Sequence, residues 1–311
     1  MREKENGFMD QDLLSLPGYL PPPSFNFLMI LVVGNINFDI LFPLDRLPGP
    51  HEKMACDKAR TGFGGSAANT AYWLAKLGVQ VKLAGAVGDD PLGDAHLAHL
   101  REAGVKTHGV HRVDGPTGIA VIFSLGREKR MIRAPGANLF GRTDPGLLEG
   151  CDLVYLSGGD TRTLARYVFS AKEKDIPVIC GWYGPRESEV TGLVDGFILN
   201  ADEVRTITGL EDPVEGIRAL DSRIAAVTLP TGGCLVSEGI DIHKVPAIEL
   251  EPVDRTGGGD AFASGFLAGL EKGLCVDECG RWGNALAAAV IMELGARPDI
   301  SIENLELSIE D

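Results

Sequence analysis

The sequence predicts an α/β protein whose mostly parallel sheet is covered by helices on both faces. Strand-like and helix-like patterns alternate along most of its 311 residues. The strand-like runs are short, apolar and rich in β-branched side chains, whereas the helical segments carry apolar residues at helical spacing. Such alternation favours a parallel sheet, because consecutive parallel strands need a crossover connection that is usually a helix.

Seven short apolar runs have the length and composition of buried strands. They are residues 29–33, 81–87, 120–125, 153–156, 178–180, 196–199 and 225–229. Six segments have helical periodicity, namely residues 67–77, 92–103, 163–174, 201–208, 261–270 and 279–294. Gly78, Gly104 and Gly209 directly follow three of these segments, at positions where glycine commonly ends a helix.

Two stretches, residues 37–61 and 107–135, interrupt the alternation. They contain short alternating segments and turn residues but no good helix, so we predict a small separate β-sheet inserted into an α/β core of residues 29–36, 62–106 and 136–311. Residues 1–28 hold four prolines between positions 17 and 23, which excludes a regular helix or central strand there. We expect this segment to be a loose N-terminal arm or a non-native extension that precedes a natural start at Met29.

The charge and the cysteines exclude several classes of protein. Lys and Arg number 29 against 44 Asp and Glu, a net charge of −15, so nucleic-acid and membrane partners are disfavoured, although a small anionic substrate is not. No apolar run reaches the roughly 18 residues of a membrane span, and the acids and prolines near the start are unlike a secretory signal. The six cysteines are typical of buried side chains in a reducing compartment, so we expect a cytoplasmic protein.

The most informative segment is the glycine run Gly257, Gly258 and Gly259, which leads through Asp260 into an apolar helix. Successive free N–H groups at a helix start form an anion cradle, and the helix dipole strengthens it. A carboxylate at the mouth of that cradle can orient or deprotonate a hydroxyl, as phosphoryl transfer to an alcohol requires. On this segment alone, a flexible turn with Asp260 as a helix cap is an equally good explanation.

A second glycine pair, Gly64 and Gly65, leads into the helix that carries Asn69. Glycine lets a backbone approach a ligand closely, and the Asn69 amide both donates and accepts hydrogen bonds, which suits sugar hydroxyls. Taken alone, this segment is better explained by close packing of the helix against a strand, with Ser66 as the helix cap.

Together the two segments resemble the paired signatures of the ribokinase/PfkB carbohydrate kinase family. The first signature is similar to GGSAAN at residues 64–69 and the second to DRTGGGD at residues 254–260. Four further family motifs occur in the expected order: NFD at 37–39, VGDD at 87–90, PGAN at 135–138 and NADE at 200–203. The resemblance covers about residues 29–300. It implies a ribokinase-like three-layer α/β/α sandwich whose small β-sheet closes over the substrate as a lid.

The resemblance implies a role for each matching residue. Asp260 would be the base that accepts the proton of the acceptor hydroxyl, and Gly257, Gly258 and Gly259 would hold the transferring phosphoryl group. The substrate would be bound by Asn37, Asp39, Gly64, Gly65, Asn69 and Asn138. The nucleotide would lie against Asn200, Thr228, Thr231, Gly233 and Asn284.

Two cations and a set of partners are implied in the same way. Asn200 and Glu203 would organise Mg²⁺ through water, and a monovalent cation such as K⁺ would lie at Asp254, Thr256 and Gly295. ATP would be the co-substrate, although some relatives use ADP or pyrophosphate. Relatives often form homodimers through the lid sheet, and the same contact is open to this chain.

The chain departs from the family pattern at four positions. Gly258 stands where the family commonly has the alanine of GAGD, and Arg255 stands where a small residue is common. Pro230 takes the place of a glycine in a TxGxxG pattern and removes one backbone N–H near the nucleotide. Ser66 replaces a lysine that ribokinase-like members often carry, so ribose is not assured as the substrate.

Other charged residues have simpler explanations. Four basic residues cluster in the second lid segment: Arg127, Lys129, Arg130 and Arg133. They could reach an anionic substrate, but protection of an exposed edge strand explains them better. The pairs His96/His99 and His108/His111 lack a third metal ligand at a convincing spacing. The sequence has no P-loop, and no GxGxxG motif follows the first strand.

We therefore predict an ATP-dependent kinase that phosphorylates a sugar hydroxyl, in the manner of ribokinase, fructokinase or 2-keto-3-deoxygluconate kinase. A nucleoside acceptor stays open, because residues 64–78 also resemble nucleoside kinases such as adenosine kinase. A sugar- or nucleotide-binding regulator without catalysis is the alternative from another class. Pro230 mildly favours the regulator, whereas Asp260, Asn200 and Glu203 argue against it.

Overall fold

A computed structural model describes residues 29–302 of the chain, except 127, 183–189 and 191. The segment 1–28, which we expect to be an arm, lies outside the described residues. The described strands are β1 (Ile30–Gly34), β2 (Asn37–Pro43), β3 (Arg60–Gly64), β4 (Val81–Gly88), β5 (Lys106–Val113), β6 (Gly118–Leu125), β7 (Glu128–Ala134), β8 (Leu153–Ser157), β9 (Val178–Trp182), β10 (Gly196–Asn200), β11 (Ile224–Leu229), β12 (Gly233–Glu238) and β13 (Asp241–Val245). The described α-helices are α1 (Ser66–Lys76), α2 (Pro91–Glu102), α3 (Thr161–Lys172), α4 (Ala201–Thr208), α5 (Pro213–Ala219), α6 (Gly258–Glu271) and α7 (Val276–Ile291).

Nine strands form one large sheet in the order β13-β12-β11-β10-β9-β8-β1-β4-β5. The seven strands from β11 to β5 run parallel, and β12 and β13 extend the sheet by antiparallel pairing. The parallel strands are buried on both faces, which explains why their sequences read as continuous apolar runs rather than as alternating patterns.

Helices cover both faces of this sheet. On one face, α1, α2, α6 and α7 pack against strand side chains such as Ile30 and Val32. On the other face, α3, α4 and α5 pack against Leu31 and Val33. Successive residues of β1 therefore point into different cores, as the two-residue period of a strand requires. The predicted α/β sandwich is confirmed.

Four strands form a second, smaller sheet in the order β3-β2-β6-β7. β2 pairs with β6 in parallel register and with β3 in antiparallel register, and β7 closes the other edge against β6. Both predicted interruptions therefore contribute strands to a separate small sheet. Its action as a lid over a substrate remains a proposal.

Two of the predicted boundaries of this small sheet are wrong. β5, which was expected in it, pairs in parallel with β4 at the edge of the large sheet. An edge strand has one exposed side, so β5 alternates polar and apolar residues and mimics the strands of a small two-sided sheet. Residues 62–64, which were expected in the core, belong to β3 of the small sheet.

Three further elements were not predicted: α5, β12 and β13. The start of α5 carried a usable signal, because Asp212 caps the helix through the N–H of Val214 and Pro213 occupies its first turn. None of the helices in the described part of the chain is long and apolar enough to cross a bilayer.

Candidate active site

Polar side chains and glycines collect at the carboxyl ends of the parallel strands. Asn35 follows β1, Ser157 ends β8, Asn200 ends β10 and Thr228 lies near the end of β11. These residues, together with Asp260 at the start of α6, surround a cavity of about 500 Å³ that we call the inner cavity. Ligands of open α/β sheets bind at this edge because the loops that follow the strands open there.

A larger cavity of about 850 Å³ adjoins the first and is called the outer cavity. Among the residues that line it are the predicted nucleotide residues Asn200, Thr228, Thr231, Gly233 and Asn284. Asn200, Thr228 and Gly259 line both cavities. The start of α6 therefore lies where the two cavities meet.

The three predicted glycines form the N-terminal end of α6. Gly257 is the N-cap at φ 80°, and a Cβ there would lie 2.7 Å from the Cα of Ala296. A Cβ on Gly258 would lie 2.9 Å from Cγ2 of Ile291, whereas a Cβ on Gly259 would meet nothing within 4 Å. Gly257 and Gly258 thus pack against the protein, and Gly259 faces the space between the cavities. N–H groups of the first helical turn lack intrahelical acceptors, so this surface can bind an anion.

Asp260 is the third residue of α6, and its carboxylate points towards α1. Its Oδ2 accepts a hydrogen bond of 2.7 Å from Nδ2 of Asn69, and the Ser66 side chain also hydrogen-bonds to the carboxylate. Burial raises the pKa of Asp260 to about 6, although these two hydrogen bonds oppose the rise. The helix cap is Gly257, so the interpretation of Asp260 as a simple cap is wrong. A partly buried carboxylate that lines a cavity and has a pKa near neutrality suits proton acceptance from a hydroxyl.

The two glycines before α1 allow two backbone segments to approach each other. Gly65 is the N-cap at φ 89°, and a Cβ there would lie 2.5 Å from the backbone oxygen of Asn35. A Cβ on Gly64 would overlap the carboxylate of Asp39. The alternative in which Ser66 caps α1 is wrong, because Ser66 is the first helical residue and its side chain bonds to Asp260 instead.

Asp39 on β2 is a second partly buried carboxyl group near Asp260. Burial raises the pKa of Asp39 to about 7, with a smaller contribution from the negative charge of Asp260. The positive charges of Lys129 and Arg297 oppose this rise. The small sheet and the core therefore bring two carboxyl groups and two cations into one electrostatic cluster.

Asn37 and Asn138 are brought together as the sequence suggested, but Asn138 bonds to protein. Its Oδ1 accepts from the N–H of Ile36 at 2.9 Å, and its Nδ2 donates to Oδ1 of Asn37 at 2.8 Å and to the backbone oxygen of Pro135 at 2.9 Å. Asn138 thus fixes the connection between β1 and β2 and the orientation of Asn37. Both residues line the inner cavity, and substrate contact by Asn138 stays a prediction.

Asn200 and Glu203 form a capping box at the start of α4. The Asn200 side chain accepts from the N–H of Glu203 at 2.9 Å, and Oε2 of Glu203 accepts from the N–H of Asn200 at 2.8 Å. Burial raises the pKa of Glu203 to about 7, with the charge of Asp260 adding to the rise. These oxygen ligands fit a hydrated divalent cation, which would also relieve the repulsion between the two carboxylates.

Asp254, Thr256 and Gly295 converge as predicted. The buried carboxylate of Asp254 accepts from the N–H of Thr256 at 3.0 Å, from its hydroxyl at 2.8 Å and from the N–H of Gly295 at 2.9 Å. Within the described ranges no lysine or arginine forms an ion pair with Asp254. A buried carboxylate without a cationic partner fits a monovalent cation.

Sequence reasoning missed Arg297, and for Lys129 it preferred protection of an edge strand over contact with an anionic substrate. Nε of Arg297 donates to Oδ1 of Asn69 at 2.9 Å, and Nζ of Lys129 donates to Oγ1 of Thr256 at 3.1 Å. Arg133 lines the inner cavity, Arg130 pairs with Glu128, and Arg127 lies outside the described residues. Arg297 had a weak signal, since it is the first basic residue after a long apolar segment that begins at Trp282.

A glycine-rich helix start and a partly buried carboxylate, placed where two cavities meet at the edge of an α/β sheet, are the arrangement expected of a phosphotransferase that acts on an alcohol. The chain belongs to one family of this class, because the sequence profile described as "pfkB family carbohydrate kinase" matches residues 28–303. The resemblance drawn from the motifs is confirmed.

Relatives and solved structures agree with this assignment. The ATP-dependent ribose-1-phosphate kinase of Halopiger xanaduensis is 31% identical over 278 residues, which cover 86% of this chain and 93% of that protein. The nucleoside kinase of Methanothermobacter thermautotrophicus is 26% identical over 288 residues, which cover 87% and 92%. The crystal structure of a ribokinase from Thermotoga maritima superimposes with a TM-score of 0.79 at 25% identity and covers 92% of this chain and all of that one.

Proposed function

We propose that this protein is a kinase that transfers the γ-phosphoryl group of ATP to a hydroxyl of a sugar. The observation that carries the proposal is the position of Asp260 in the first turn of α6, where the inner and outer cavities meet. A hydroxyl in the inner cavity and a phosphate that enters from the outer cavity would meet at this carboxylate and at the glycine amides beside it. ATP as donor is supported by the ATP-dependent relative.

The residues of this site suit an in-line transfer. The Asp260 carboxylate accepts the proton of the acceptor hydroxyl, and the hydroxyl oxygen attacks the γ-phosphorus. The bond from that phosphorus to the β,γ-bridging oxygen breaks, and ADP leaves. The N–H groups at the start of α6 stabilise the charge on the transferring group. Asn37 lines the inner cavity with the base and Asp39 lies near it, so both would hold the remaining hydroxyls of the acceptor, whereas the Asn69 amide already bonds to Asp260 and Arg297.

Both cation sites are part of the proposal. Mg²⁺ held through water at Asn200 and Glu203 would neutralise charge on the phosphates. The charge of K⁺ at Asp254 would be matched by the buried carboxylate, which also joins the loop before α6 to Gly295. Pro230 removes one donor on the outer cavity, but the first-turn amides of α6 remain for the phosphate.

A nucleoside acceptor is the second candidate, and the size and lining of the inner cavity favour it. Besides Asp260, the residues that line this cavity include Asn37, Gly158, Gly159 and Leu139. Its volume of about 500 Å³ lies within the roughly 300–1,000 Å³ of pockets for drug-sized ligands, so a sugar that carries a base would fit. Leu139 is 63% exposed and offers an apolar surface to such a base.

A coupled ADP-release assay tests the function. The assay uses ATP, Mg²⁺ and K⁺ with a panel of pentoses, hexoses, keto-deoxy acids, sugar phosphates and nucleosides. Sugar phosphates belong in the panel because the exposed Arg133 lines the inner cavity. Turnover on a sugar supports the main proposal, and turnover on nucleosides alone replaces it with the second candidate.

The matched variant in this assay is Asp260→Asn. Loss of a general base lowers turnover by roughly 10²- to 10⁴-fold, and we expect a loss of at least this size in a protein that still folds and binds ATP like the wild type. Asn keeps the shape of the side chain but accepts no proton at the pH of the assay. Near-wild-type turnover by this variant would remove Asp260 from the mechanism. Ligand-induced stabilisation by sugar without turnover, also with ADP or pyrophosphate as donor, would favour a binding regulator.

Location and oligomeric state are also part of the proposal. The six cysteines all lie in the described residues and form no disulfide, which supports a reducing, cytoplasmic location. β7 is an edge strand of the small sheet, and its Met131 and Ile132 are 46% and 64% exposed, which supports a homodimer through this sheet. Light scattering of the wild type and of a Met131→Lys/Ile132→Lys variant would test the dimer.

A further inference from the structure

Arg297 lies behind the candidate base rather than in contact with it. Its Nε donates to Oδ1 of Asn69 at 2.9 Å, and its Nη2 lies 3.4 Å from the backbone oxygen of Gly64 and 3.1 Å from Nε2 of His96. The guanidinium lies over the Tyr72 ring at 5.3 Å from its centroid. The adjoining Ala296 is held as well, because Nε1 of Trp73 donates to its backbone oxygen at 3.0 Å.

These contacts determine which end of the Asn69 amide faces the base. Arginine has five donors and no acceptor, so the group that faces Nε must be Oδ1 of Asn69. The Nδ2 end then faces Oδ2 of Asp260 at 2.7 Å. A flipped amide would oppose two donors on the Arg297 side and two acceptors on the Asp260 side, and Asn69 is only 4% exposed, so water would not compensate.

We propose that Arg297 is a positioning residue, which fixes the orientation of the Asn69 amide and thereby holds the Asp260 carboxylate towards the acceptor hydroxyl. The inference rests on the proposed role of Asp260 as the base. The contacts of Arg297 with α1, with α2 and with β3 of the small sheet place it where these parts meet.

The charges that face Asp260 come from several elements. Lys129 lies on β7, Asp39 on β2, Glu203 on α4 and Tyr155 on β8, and Arg297 follows α7. Lys129 and Arg297 lower the pKa of Asp260, against the larger rise caused by burial. The pKa of Arg297 is lowered to about 9 by burial, so its guanidinium is still charged at neutral pH. Loss of this charge therefore raises the pKa of Asp260.

The direction of the resulting pH effect follows from the protonation state that catalysis needs. The base works as the carboxylate, so wild-type turnover should fall as the pH drops through about 6, the pKa of Asp260. This fall is the acidic limb of the pH–rate profile, and removal of Arg297 should move it to higher pH. A residue that only supports the fold would not move the limb.

The test compares Arg297→Met and Arg297→Lys with Arg101→Met as the matched control. Arg101 also donates through Nε to a side-chain oxygen, that of Thr107 at 2.9 Å, but far along α2 from the site. For R297M we expect kcat at pH 7 to fall roughly 10- to 100-fold, as for other outer partners of functional groups, with the acidic limb shifted upward and the KM for ATP unchanged. R101M should match the wild type. R297K keeps the charge and can donate to Asn69, so it should recover part of kcat and a limb near the wild-type position.

Two results would overturn the inference. One is an R297M enzyme whose kcat and acidic limb match those of the wild type while Asp260→Asn is inactive. This result would leave the proposed function intact. The other is a rise in the KM of the sugar alone, in R297M or, if that variant does not fold, in R297K. That rise would make Arg297 a binding residue. An active Asp260→Asn enzyme would instead refute the proposed function itself.

Discussion

The carboxyl groups of Asp39 and Asp260 are the residues in which burial and charge oppose each other most clearly. Burial raises the pKa of Asp39 to about 7 and that of Asp260 to about 6, while Lys129 and Arg297 counteract both shifts. Such perturbed pairs are typical of functional sites because a buried charge costs stability that a structural position would avoid. Keeping two carboxyl groups with pKa values near neutral pH in the site therefore lowers the stability of the folded state.

Asp39→Asn should make the stability of the protein less dependent on pH between pH 5 and pH 8. The pKa of Asp39 in the folded state is above the usual 3.8, so between pH 4 and 7 the folded state binds more protons and stability falls as pH rises. The amide of the variant has no charge to bury. The free energy of unfolding of the variant should therefore fall less than that of the wild type between pH 5 and pH 8, by on the order of 2 kcal/mol. Denaturant titrations at both pH values measure this.

The control for that experiment is Asp57→Asn, an exposed aspartate in the connection between β2 and β3. It should show the wild-type difference between the two pH values. An equal pH dependence of the Asp39→Asn variant and the wild type would contradict the electrostatic account of this site.

At the scale of elements, the start of α6 combines two kinds of glycine. Position 257 requires the conformational freedom of glycine, since Gly257 has a positive φ and packs against Ala296. Gly259 needs no such freedom and leaves open space at the junction of the cavities. One glycine therefore builds the helix start and the other keeps it accessible.

Alanine substitutions should separate these two requirements. Gly257→Ala forces a side chain into the left-handed region and against Ala296, so we expect a loss of about 1–3 kcal/mol in stability. Gly259→Ala should leave stability unchanged or slightly higher, because alanine favours helices, while its methyl group enters the space meant for the phosphoryl group and lowers kcat at least about tenfold. Thermal unfolding and the ADP-release assay measure the two effects. A stable, fully active Gly259→Ala enzyme would show that the cradle lies elsewhere.

At the scale of the whole molecule, the small sheet reaches the core on both sides of the site. Asp39 on β2 lies beside Gly64 and near Arg297, and Lys129 on β7 contacts Thr256 just before α6. Aromatic rings add to the contact near Asp39, since Phe63 on β3 stacks on His99 of α2 with the ring centroids 4.5 Å apart. The positions of the two sheets and the site are therefore coupled.

Lys129→Met should weaken nucleotide use more than folding. Lys129 is exposed and lines the outer cavity, so its loss removes a positive charge from the expected path of the phosphates. We expect the KM for ATP to rise by up to roughly tenfold with little change in stability, because exposed charge contacts contribute little to folding. Arg130→Met is the control, since Arg130 pairs with Glu128 on the same strand. Equal ATP kinetics in the two variants would remove Lys129 from the nucleotide site.

The sequence by itself determined the alternation of strands and helices, the glycine-rich helix start and the family. These features are local or ordered along the chain, because apolar periodicity and short motifs need no knowledge of distant contacts. Asp260, Asn69 and five residues that line the outer cavity could be named from the motifs and the family resemblance, and the structure brings them to the edge of one sheet.

Only the tertiary structure decided which sheet each peripheral strand joins and which distant side chains meet. β5 alternates polar and apolar residues as a strand of the small sheet would, and only its pairing with β4 places it in the large sheet. Arg297 is 228 residues from Asn69 along the chain, and no local pattern could connect them. The pKa values of Asp39, Glu203 and Asp260 were equally out of reach, because burial and the charges of several separate elements set them.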